Sequence, residues 1–192
     1  MMTNQEIIAM LKEAGVLLEG HFLLTSGRHS DKYMQCAKIF QDAKYSVPLC
    51  AELVAQYRDE NVELVIGPAI GAISMSYEVG KQLGVRNIFA ERENGVMTLR
   101  RGFTIEKGER VLIVEDVVTT GGSVREVMDL VRACGGEIVG VGSIVDRTGG
   151  AIDFGVPYRS AFSMDITSYE PENCPICKTG MPLIKPGSRT VK

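Results

Sequence analysis

The 192 residues suffice for one α/β domain with a small appendage, and 45% hydrophobic with 23% charged residues exclude a disordered, collagen-like or coiled-coil chain. A net charge of −3 disfavours a surface that grips nucleic acid, which needs many phosphate-neutralising Lys and Arg side chains. The sequence has no run near the roughly 18 apolar residues of a membrane span, and its five cysteines lack the spacing of a disulfide framework, so we expect a cytoplasmic protein.

Two helices are predicted ahead of the first strand. Thr3 and Glu6 have the spacing of a capping box, and apolar residues then recur with a helical period. A second helical period covers 47–57 and leads into the short apolar run 62–66. The expected order is therefore helix, helix and buried strand.

Strands and helices then alternate through the middle of the chain. The predicted strands are 62–66, 85–90, 111–114 and 138–145, and the predicted helices lie near 72–83 and 123–134. This alternation indicates an α/β fold with a central, mostly parallel sheet flanked by helices. The strand signals weaken after Arg147, so the end of the chain is expected to form an appendage.

The stretch 111–123, V-L-I-V-E-D-V-V-T-T-G-G-S, predicts a phosphate site. A glycine-containing loop at a helix N-terminus presents backbone N–H groups and the positive end of the helix dipole to an anion. The hydroxyl groups of Thr119, Thr120 and Ser123 add donors. Because no glycine–lysine pair follows Gly122, the loop is not a P-loop, and we expect it to hold a monophosphate.

Two acids, Glu115 and Asp116, come directly before this loop. They would repel a phosphate placed on them, so we expect them to accept hydrogen bonds from the 2′- and 3′-hydroxyls of a ribose whose 5-phosphate lies in the loop. The alternative is an ordinary capped turn from strand to helix, in which Asp116 is an N-terminal capping carboxylate.

The same stretch resembles the phosphoribosyl pyrophosphate (PRPP) signature of type I phosphoribosyltransferases: four apolar residues, two acids, two apolar residues, then T-T-G-G-S. Three other segments resemble orotate phosphoribosyltransferases. F-L-L-T-S-G-R-H-S-D-K-Y at 22–33 is similar to their orotate-binding segment, and G-P-A-I-G at 67–71 to their pyrophosphate loop. V-D-R at 145–147 ends in an arginine where the family holds the orotate carboxylate.

This resemblance implies transfer of the 5-phosphoribosyl group from PRPP to orotate, giving orotidine 5′-monophosphate and pyrophosphate in pyrimidine biosynthesis. It implies that Mg²⁺ bridges the pyrophosphate and the ribose hydroxyls, and that the chain forms a homodimer. The residues implied to bind PRPP are Pro68, Ala69, Gly71, Glu115, Asp116, Val117, Val118, Thr119, Thr120, Gly121, Gly122 and Ser123. Those implied to bind orotate are Ser26, Gly27, Arg28, Lys32, Thr119 and Arg147. The family's fold would make 1–192 one phosphoribosyltransferase domain, with 1–40 and 150–192 contributing a hood.

The segment 91–102 stands where the family has a mobile catalytic loop. Better-known members carry a lysine-rich loop with a histidine there and a lysine in the pyrophosphate loop, whereas this chain has arginines in the former and Ile70-Gly71 in the latter. We interpret the arginines as closing over the pyrophosphate and reaching across a dimer interface; a solvated basic hairpin is the alternative. The catalytic residues in this interpretation are Arg92, Arg100, Arg101 and Asp116.

The tail carries a C-x-x-C knuckle at Cys174 and Cys177, of the sort that supplies half of a zinc site. The resemblance places such a tail in a variant branch of the family. Tetrahedral zinc needs about four ligands, and the chain has no second C-x-x-C. His21 and His29 lie far away in sequence, so two knuckles meeting across a dimer are one way to complete the site. A tight turn with reduced thiols is the alternative.

Other functions remain open at this point. A purine or xanthine phosphoribosyltransferase would share the phosphate loop and differ at the base. A regulator that senses PRPP and binds nucleic acid would need a basic face, which the net charge disfavours. A metal-knuckle interaction module would explain only the tail. Arg147, taken alone, has the alternative of a surface arginine paired with Asp146.

Overall fold

A computed structural model describes residues 2–24 and 26–186. Its α-helices are Asn4–Glu13 (α1), Ala43–Tyr57 (α2), Ile73–Leu83 (α3) and Gly122–Ala133 (α4). Its strands are Leu17–Leu23 (β1), His29–Met34 (β2), Leu64–Pro68 (β3), Arg86–Glu93 (β4), Val96–Thr98 (β5), Arg110–Val118 (β6), Glu137–Asp146 (β7), Tyr158–Ser163 (β8) and Ser168–Tyr169 (β9). Short 3₁₀ turns occupy Cys36–Gln41, Pro171–Asn173 and Cys177–Thr179. The end of the predicted hood, 187–192, lies outside the described residues.

The central sheet has the strand order β5-β4-β3-β6-β7-β8. All neighbours pair in parallel except β4 and β5, which form an antiparallel hairpin. The predicted α/β class with a mostly parallel sheet is therefore confirmed. Since the carboxyl ends of parallel strands meet at one edge, the loops after β3, β6 and β7 are neighbours there.

Helices cover both faces of the sheet, which explains the nearly continuous apolar runs of its central strands. Side chains alternate between the faces along a strand. Val65, Leu112 and Val114 pack on one side with α1, α2 and α3. Leu64 and Ile113 pack on the opposite side with α4. The predicted capping box is present at α1, where the backbone N–H groups of Thr3 and Glu6 donate to each other's side chains.

Two strands of the central sheet were not predicted. In β8 the sequence is Y-R-S-A-F-S and only Phe162 is buried, because the strand lies at the sheet edge. In the segment taken for a mobile loop, β4 continues to Glu93 and returns as β5. The turn residues Asn94 and Gly95 both have positive φ, 52° and 85°, as a two-residue hairpin requires. Part of that segment is thus an ordered hairpin.

A second, antiparallel sheet joins the two ends of the chain in the order β1-β2-β9. The tail returns to it: Leu23 N–H donates to the Ile184 carbonyl and Ile184 N–H to the His21 carbonyl, both at 2.8 Å. We call β1, β2, β9 and residues 170–186 the hood. That residues 1–192 form one domain stays a prediction. In the part of the chain that the structure describes, every helix is too short or too polar to span a lipid bilayer.

Candidate active site

The phosphate loop, residues 119–123, lies between the end of β6 and the first turn of α4. Gly121 precedes the helix with φ 71°, a conformation that costs other residues free energy. A Cβ atom at this position would lie 2.4 Å from Ile152 Cδ1 and 2.8 Å from Phe154 Cε1. Thr119 and Thr120 are exposed. The geometry therefore leaves backbone N–H groups and hydroxyls accessible at a helix N-terminus.

We expect Gly121→Ala to lower the free energy of unfolding by about 2–4 kcal/mol, because left-handed strain and overpacking act together. Gly122→Ala is the matched control. A Cβ at Gly122 would meet only Thr120 Oγ1, at an ordinary 3.7 Å, so its stability should stay within about 0.5 kcal/mol of wild type. Urea unfolding followed by circular dichroism measures both. Equal stability of the two variants would contradict this account of the loop.

The acidic pair stands at the mouth of the phosphate loop. Asp116 Oδ1 accepts a hydrogen bond of 2.8 Å from the N–H of Val117. A Cβ added to Gly71 would lie 3.2 Å from Asp116 Oδ2, so the pyrophosphate loop lies next to this acid. Burial, with Asp116 as the second cause, raises the pKa of Glu115 well above its usual range. Burial also raises the pKa of Asp116. The folded chain holds two carboxyl groups that are costly to ionise together.

This raised pKa makes a prediction for stability against pH. The pKa of Glu115 is higher in the folded chain than the ordinary 4.5, so its stabilising contribution is present at low pH and is lost as pH rises from 4.5 through the folded pKa. We expect Glu115→Gln to melt at a higher temperature than wild type, with a larger difference at pH 8 than at pH 5. Each kcal/mol relieved should add roughly 2–4 °C.

Thermal unfolding across that pH range measures the difference. Glu172→Gln, at an exposed position, is the control for removal of one carboxyl group. Its melting temperature should equal that of wild type at each pH. If the melting-temperature difference between Glu115→Gln and wild type shrinks as pH rises, this would contradict the raised pKa of Glu115.

The pyrophosphate loop, residues 67–71, begins in the last two residues of β3 and lies next to the acids. Gly67 is enclosed, since a Cβ there would lie 2.6 Å from Ala72 Cβ and 2.8 Å from the carbonyl oxygen of Val114. Ala69 N–H donates to the carbonyl of Ala90 at 2.6 Å, and the Ala69–Ile70 peptide bond is cis. Ile70 itself is 86% exposed. The loop therefore presents backbone, and no cationic side chain, to the space above Asp116.

The three predicted catalytic arginines differ in where they point. Arg92 reaches the phosphate loop: its guanidinium donates to Ser123 Oγ at 3.3 Å and to Glu126 at 2.9 and 3.0 Å. Arg100 and Arg101 instead pair within their own hairpin, with Glu93 at 3.4 Å and Glu91 at 2.9 Å respectively. The structure thus brings Arg92 to the predicted site and holds the other two beside β4.

Arg147 follows β7, and its backbone N–H donates to the carbonyl of Val118, just before the phosphate loop, at 2.9 Å. Its guanidinium Nε is buried and has no hydrogen-bond partner among the described residues. Burial lowers the pKa of Arg147, while nearby Cys36 and Tyr33 oppose that shift. A buried donor without a partner calls for an explanation, and an anionic ligand bound to the guanidinium would supply one.

The neighbouring Asp146 accepts hydrogen bonds from residues other than Arg147. Its carboxylate accepts from the N–H and hydroxyl of Thr148 at 2.8 and 2.7 Å, from Gly150 N–H at 2.9 Å and from the Ser163 hydroxyl at 3.2 Å. These bonds fix the loop that carries Arg147. This positioning by Asp146 was missed, because in the sequence Asp146 was considered only as an alternative partner for Arg147.

The predicted orotate segment lies in the hood. Arg28 donates from Nε to Ser168 Oγ at 2.8 Å and from a terminal nitrogen to the Ser168 carbonyl at 2.7 Å, and it pairs with Glu170. Ser26 and Gly27 form the turn between β1 and β2, and Lys32 pairs across the hairpin with Glu19. In this structure Arg28 therefore ties the segment to the tail, and its role in binding orotate stays a prediction.

Comparison with known proteins shows the family. The family model described as a phosphoribosyl transferase domain matches residues 37–154. An orotate phosphoribosyltransferase of Pelotomaculum thermopropionicum is 57% identical over 190 residues, which cover 99% of this chain and 100% of the relative. The chain belongs to the orotate phosphoribosyltransferase family.

Solved structures agree with this family membership. The crystal structure of orotate phosphoribosyltransferase from Aeropyrum pernix matches with a TM-score of 0.68 and 26% identity, over 82% of this chain and 93% of that one. An adenine phosphoribosyltransferase from Thermoanaerobacter pseudethanolicus matches with a TM-score of 0.60 and 19% identity, over 69% of this chain and 88% of that one. Because proteins named for different bases share the fold, the site residues must carry the argument for the base.

Proposed function

We propose that this chain is an orotate phosphoribosyltransferase, which transfers the 5-phosphoribosyl group of PRPP to orotate and releases pyrophosphate. The observation that carries the choice of base is the buried Nε of Arg147, which has no hydrogen-bond partner among the described residues. The backbone N–H of the same residue donates to Val118, just before the phosphate loop. Orotate is planar and carries a carboxylate, which a guanidinium group binds through two parallel hydrogen bonds. A neutral purine has no matching group.

We propose that PRPP lies across three loops at the carboxyl edge of the sheet. The backbone N–H groups and hydroxyls of residues 119–123 bind its 5-phosphate. Glu115 and Asp116 accept hydrogen bonds from the 2′- and 3′-hydroxyls, which suits two acids whose pKa values are raised by burial. The pyrophosphate lies over residues 67–71, where the contact between Gly71 and Asp116 supports a short path from ribose to diphosphate.

The proposed reaction breaks the bond from C1′ to the pyrophosphate oxygen and forms a bond from C1′ to N1 of orotate. The leaving oxygen takes the electron pair of the broken bond, and N1 supplies the pair for the new one. The proton of N1 passes to the released pyrophosphate, which balances the step. The transition state has the oxocarbenium character known from glycosyl transfer. Positioning and charge stabilisation are the protein's tasks here. Arg92 is already beside Ser123, and Arg100 with Arg101 would exchange their carboxylate partners for the diphosphate on closure.

The donor set at the mouth of the phosphate loop suits Mg²⁺, because its carboxylates and hydroxyls are hard oxygen groups. Most ligands of the ion would come from the substrate's pyrophosphate and ribose hydroxyls, with Glu115 and Asp116 acting through those hydroxyls. Bound Mg²⁺ neutralises charge that develops on the leaving pyrophosphate.

The direct test incubates the purified protein with PRPP, Mg²⁺ and either orotate, adenine, guanine, hypoxanthine or xanthine, and separates the products by chromatography. Orotidine 5′-monophosphate should form and purine nucleotides should not. A purine product without orotidine 5′-monophosphate would favour the purine or xanthine alternative. If none of the five bases is turned over and the protein binds RNA in a salt-dependent way, the regulator is favoured.

Homodimer formation and a cytoplasmic setting also belong to this proposal. Val47 and Tyr77 are exposed on α2 and α3 at 39% and 59%, and such apolar side chains are common where subunits meet. The five cysteines are all free thiols in the structure, as a reducing compartment requires. Sedimentation equilibrium at micromolar concentration should give a mass near twice the 20.9 kDa of one chain.

A further inference from the structure

Four potential metal ligands converge inside the hood. They are His21 of β1, His29 at the start of β2, and Cys174 and Cys177 of the tail, and one ligand atom from each lies within 4.8 Å of all the others. His21, His29 and Cys174 are 2%, 6% and 1% exposed, whereas Cys177 is exposed. We call this group the Cys₂His₂ cluster. From the sequence, Cys174 and Cys177 were predicted as half of a zinc site, but the two histidines were not joined to them, since the histidine and cysteine segments lie about 150 residues apart.

The distances in the Cys₂His₂ cluster have the size of tetrahedron edges around zinc. With Zn–N near 2.0–2.1 Å and Zn–S near 2.3 Å, a tetrahedron has edges of about 3.3 Å for N···N, 3.6 Å for N···S and 3.8 Å for S···S. His21 Nε2 lies 3.1 Å from His29 Nδ1 and 3.6 Å from each cysteine sulfur. Cys177 Sγ lies 3.3 Å from His29 Nδ1. Four of the six edges are thus close to those of a zinc tetrahedron, and the other two, both from Cys174, are within 4.8 Å.

The surroundings of His21 select its coordinating nitrogen. Its Nδ1 lies 2.9 Å from the carbonyl oxygen of Met181. A carbonyl only accepts, so Nδ1 carries the proton and Nε2 turns its lone pair toward the Cys₂His₂ cluster. A histidine ligand held by a carbonyl on its other nitrogen is the usual outer arrangement of a protein zinc site.

Charge and burial also fit zinc. Binding would release a proton from each thiol, and two thiolates with two neutral imidazoles balance the charge of Zn²⁺. A neutral complex avoids the penalty for burying an uncompensated charge. The exposed Cys177 provides the entry path that a metal site needs. All four positions of the tetrahedron are filled by protein atoms, which is typical of a structural site and leaves none for catalysis.

We propose that the Cys₂His₂ cluster binds one structural Zn²⁺ within a single chain, which replaces the Cys₄ arrangement across a dimer suggested by the sequence. The bound ion would hold the tail against β1 and β2. Its two histidines bracket residues 22–28, so the metal would fix both ends of the turn that contains Ser26 and Gly27. This proposal does not depend on the proposed function.

The first test measures zinc by mass spectrometry in the full-length protein after growth with zinc and gel filtration. Wild type should hold about one zinc per chain, and Cys134→Ser, which removes a thiol outside the Cys₂His₂ cluster, should hold the same amount. Cys177→Ser should lose zinc to a chromophoric chelator at least ten-fold more readily. Removal of zinc from wild type should lower its melting temperature, and added zinc should restore it. If the wild-type protein is purified without zinc and binds none when zinc is added, the proposal is overturned.

A second test needs no variant and so does not depend on whether Cys177→Ser folds. The chain has two histidines, so long-range ¹H–¹⁵N spectra of wild type report both rings with little overlap. With zinc, His21 should carry its proton on Nδ1 and His29 on Nε2, and Co²⁺ in place of zinc should give tetrahedral absorption with thiolate charge transfer. A cobalt spectrum without thiolate bands, or the opposite histidine tautomers, would overturn the site.

Discussion

Replacing Glu115 with Gln and Asp116 with Asn together should lower the turnover number by about 10²-fold or more, while the chain still folds. Both substitutions keep the shape of the side chains and remove the charge that accepts hydrogen bonds from the ribose hydroxyls as positive charge develops at C1′. Because burial already penalises these carboxylates, their removal should leave stability unchanged or raise it. Initial rates of orotidine 5′-monophosphate formation and a melting curve measure the two effects.

The control for this pair is Asp129→Asn with Glu172→Gln, which removes two carboxyl groups from exposed positions. The control should turn over like wild type. Near-normal turnover of the Glu115 and Asp116 variant would remove the ribose role of both acids. A loss of turnover accompanied by a lower melting temperature would show a structural role in its place.

Arg147→Ala should raise KM for orotate about 10–100-fold and change KM for PRPP much less. Loss of a hydrogen-bonded charge partner costs about 1.5–3 kcal/mol, and each 1.4 kcal/mol is a factor of ten. The Nε of Arg147 has no partner in the described part of the protein, so the substitution breaks no side-chain bond from that atom within the fold. Steady-state kinetics with each substrate varied in turn separate the two constants.

Two further variants sharpen that measurement. Arg132→Ala removes an arginine from the exposed surface of α4 and should match wild type for both substrates. Arg147→Lys keeps the charge but loses the planar fork, so its KM for orotate should fall between those of wild type and alanine. An equal rise in both KM values for Arg147→Ala would contradict a role in choosing the base.

The sequence predicted the parts of the fold that depend on local pattern. Buried parallel strands must be apolar on both faces, so β3, β6 and β7 were visible as runs, and the capping box marked α1. It did not predict β8, because an edge strand needs few apolar residues, and Phe162 alone is buried there. It also did not predict the hood sheet, since β9 has only two residues and pairs with β2 across about 140 positions.

In the candidate site, too, the parts that depend on local sequence were predicted and the long-range contacts were not. The phosphate loop and its acids are contiguous in sequence, so one stretch was enough to predict them. The contacts that connect this stretch to the rest of the site join distant segments. Gly71 beside Asp116 and Arg92 beside Ser123 appear only in three dimensions. The Cys₂His₂ cluster is the extreme case, because half of its ligands look like ordinary strand residues until the tail is folded onto them.

The phosphate loop and the acids before it are central to the proposed function, and a crystal structure of the protein with ribose 5-phosphate tests both at once. The phosphate should lie within hydrogen-bond distance of backbone N–H groups of residues 119–123, with the 2′- and 3′-hydroxyls on Glu115 and Asp116. A ribose 5-phosphate bound elsewhere, with this loop empty, would contradict the account.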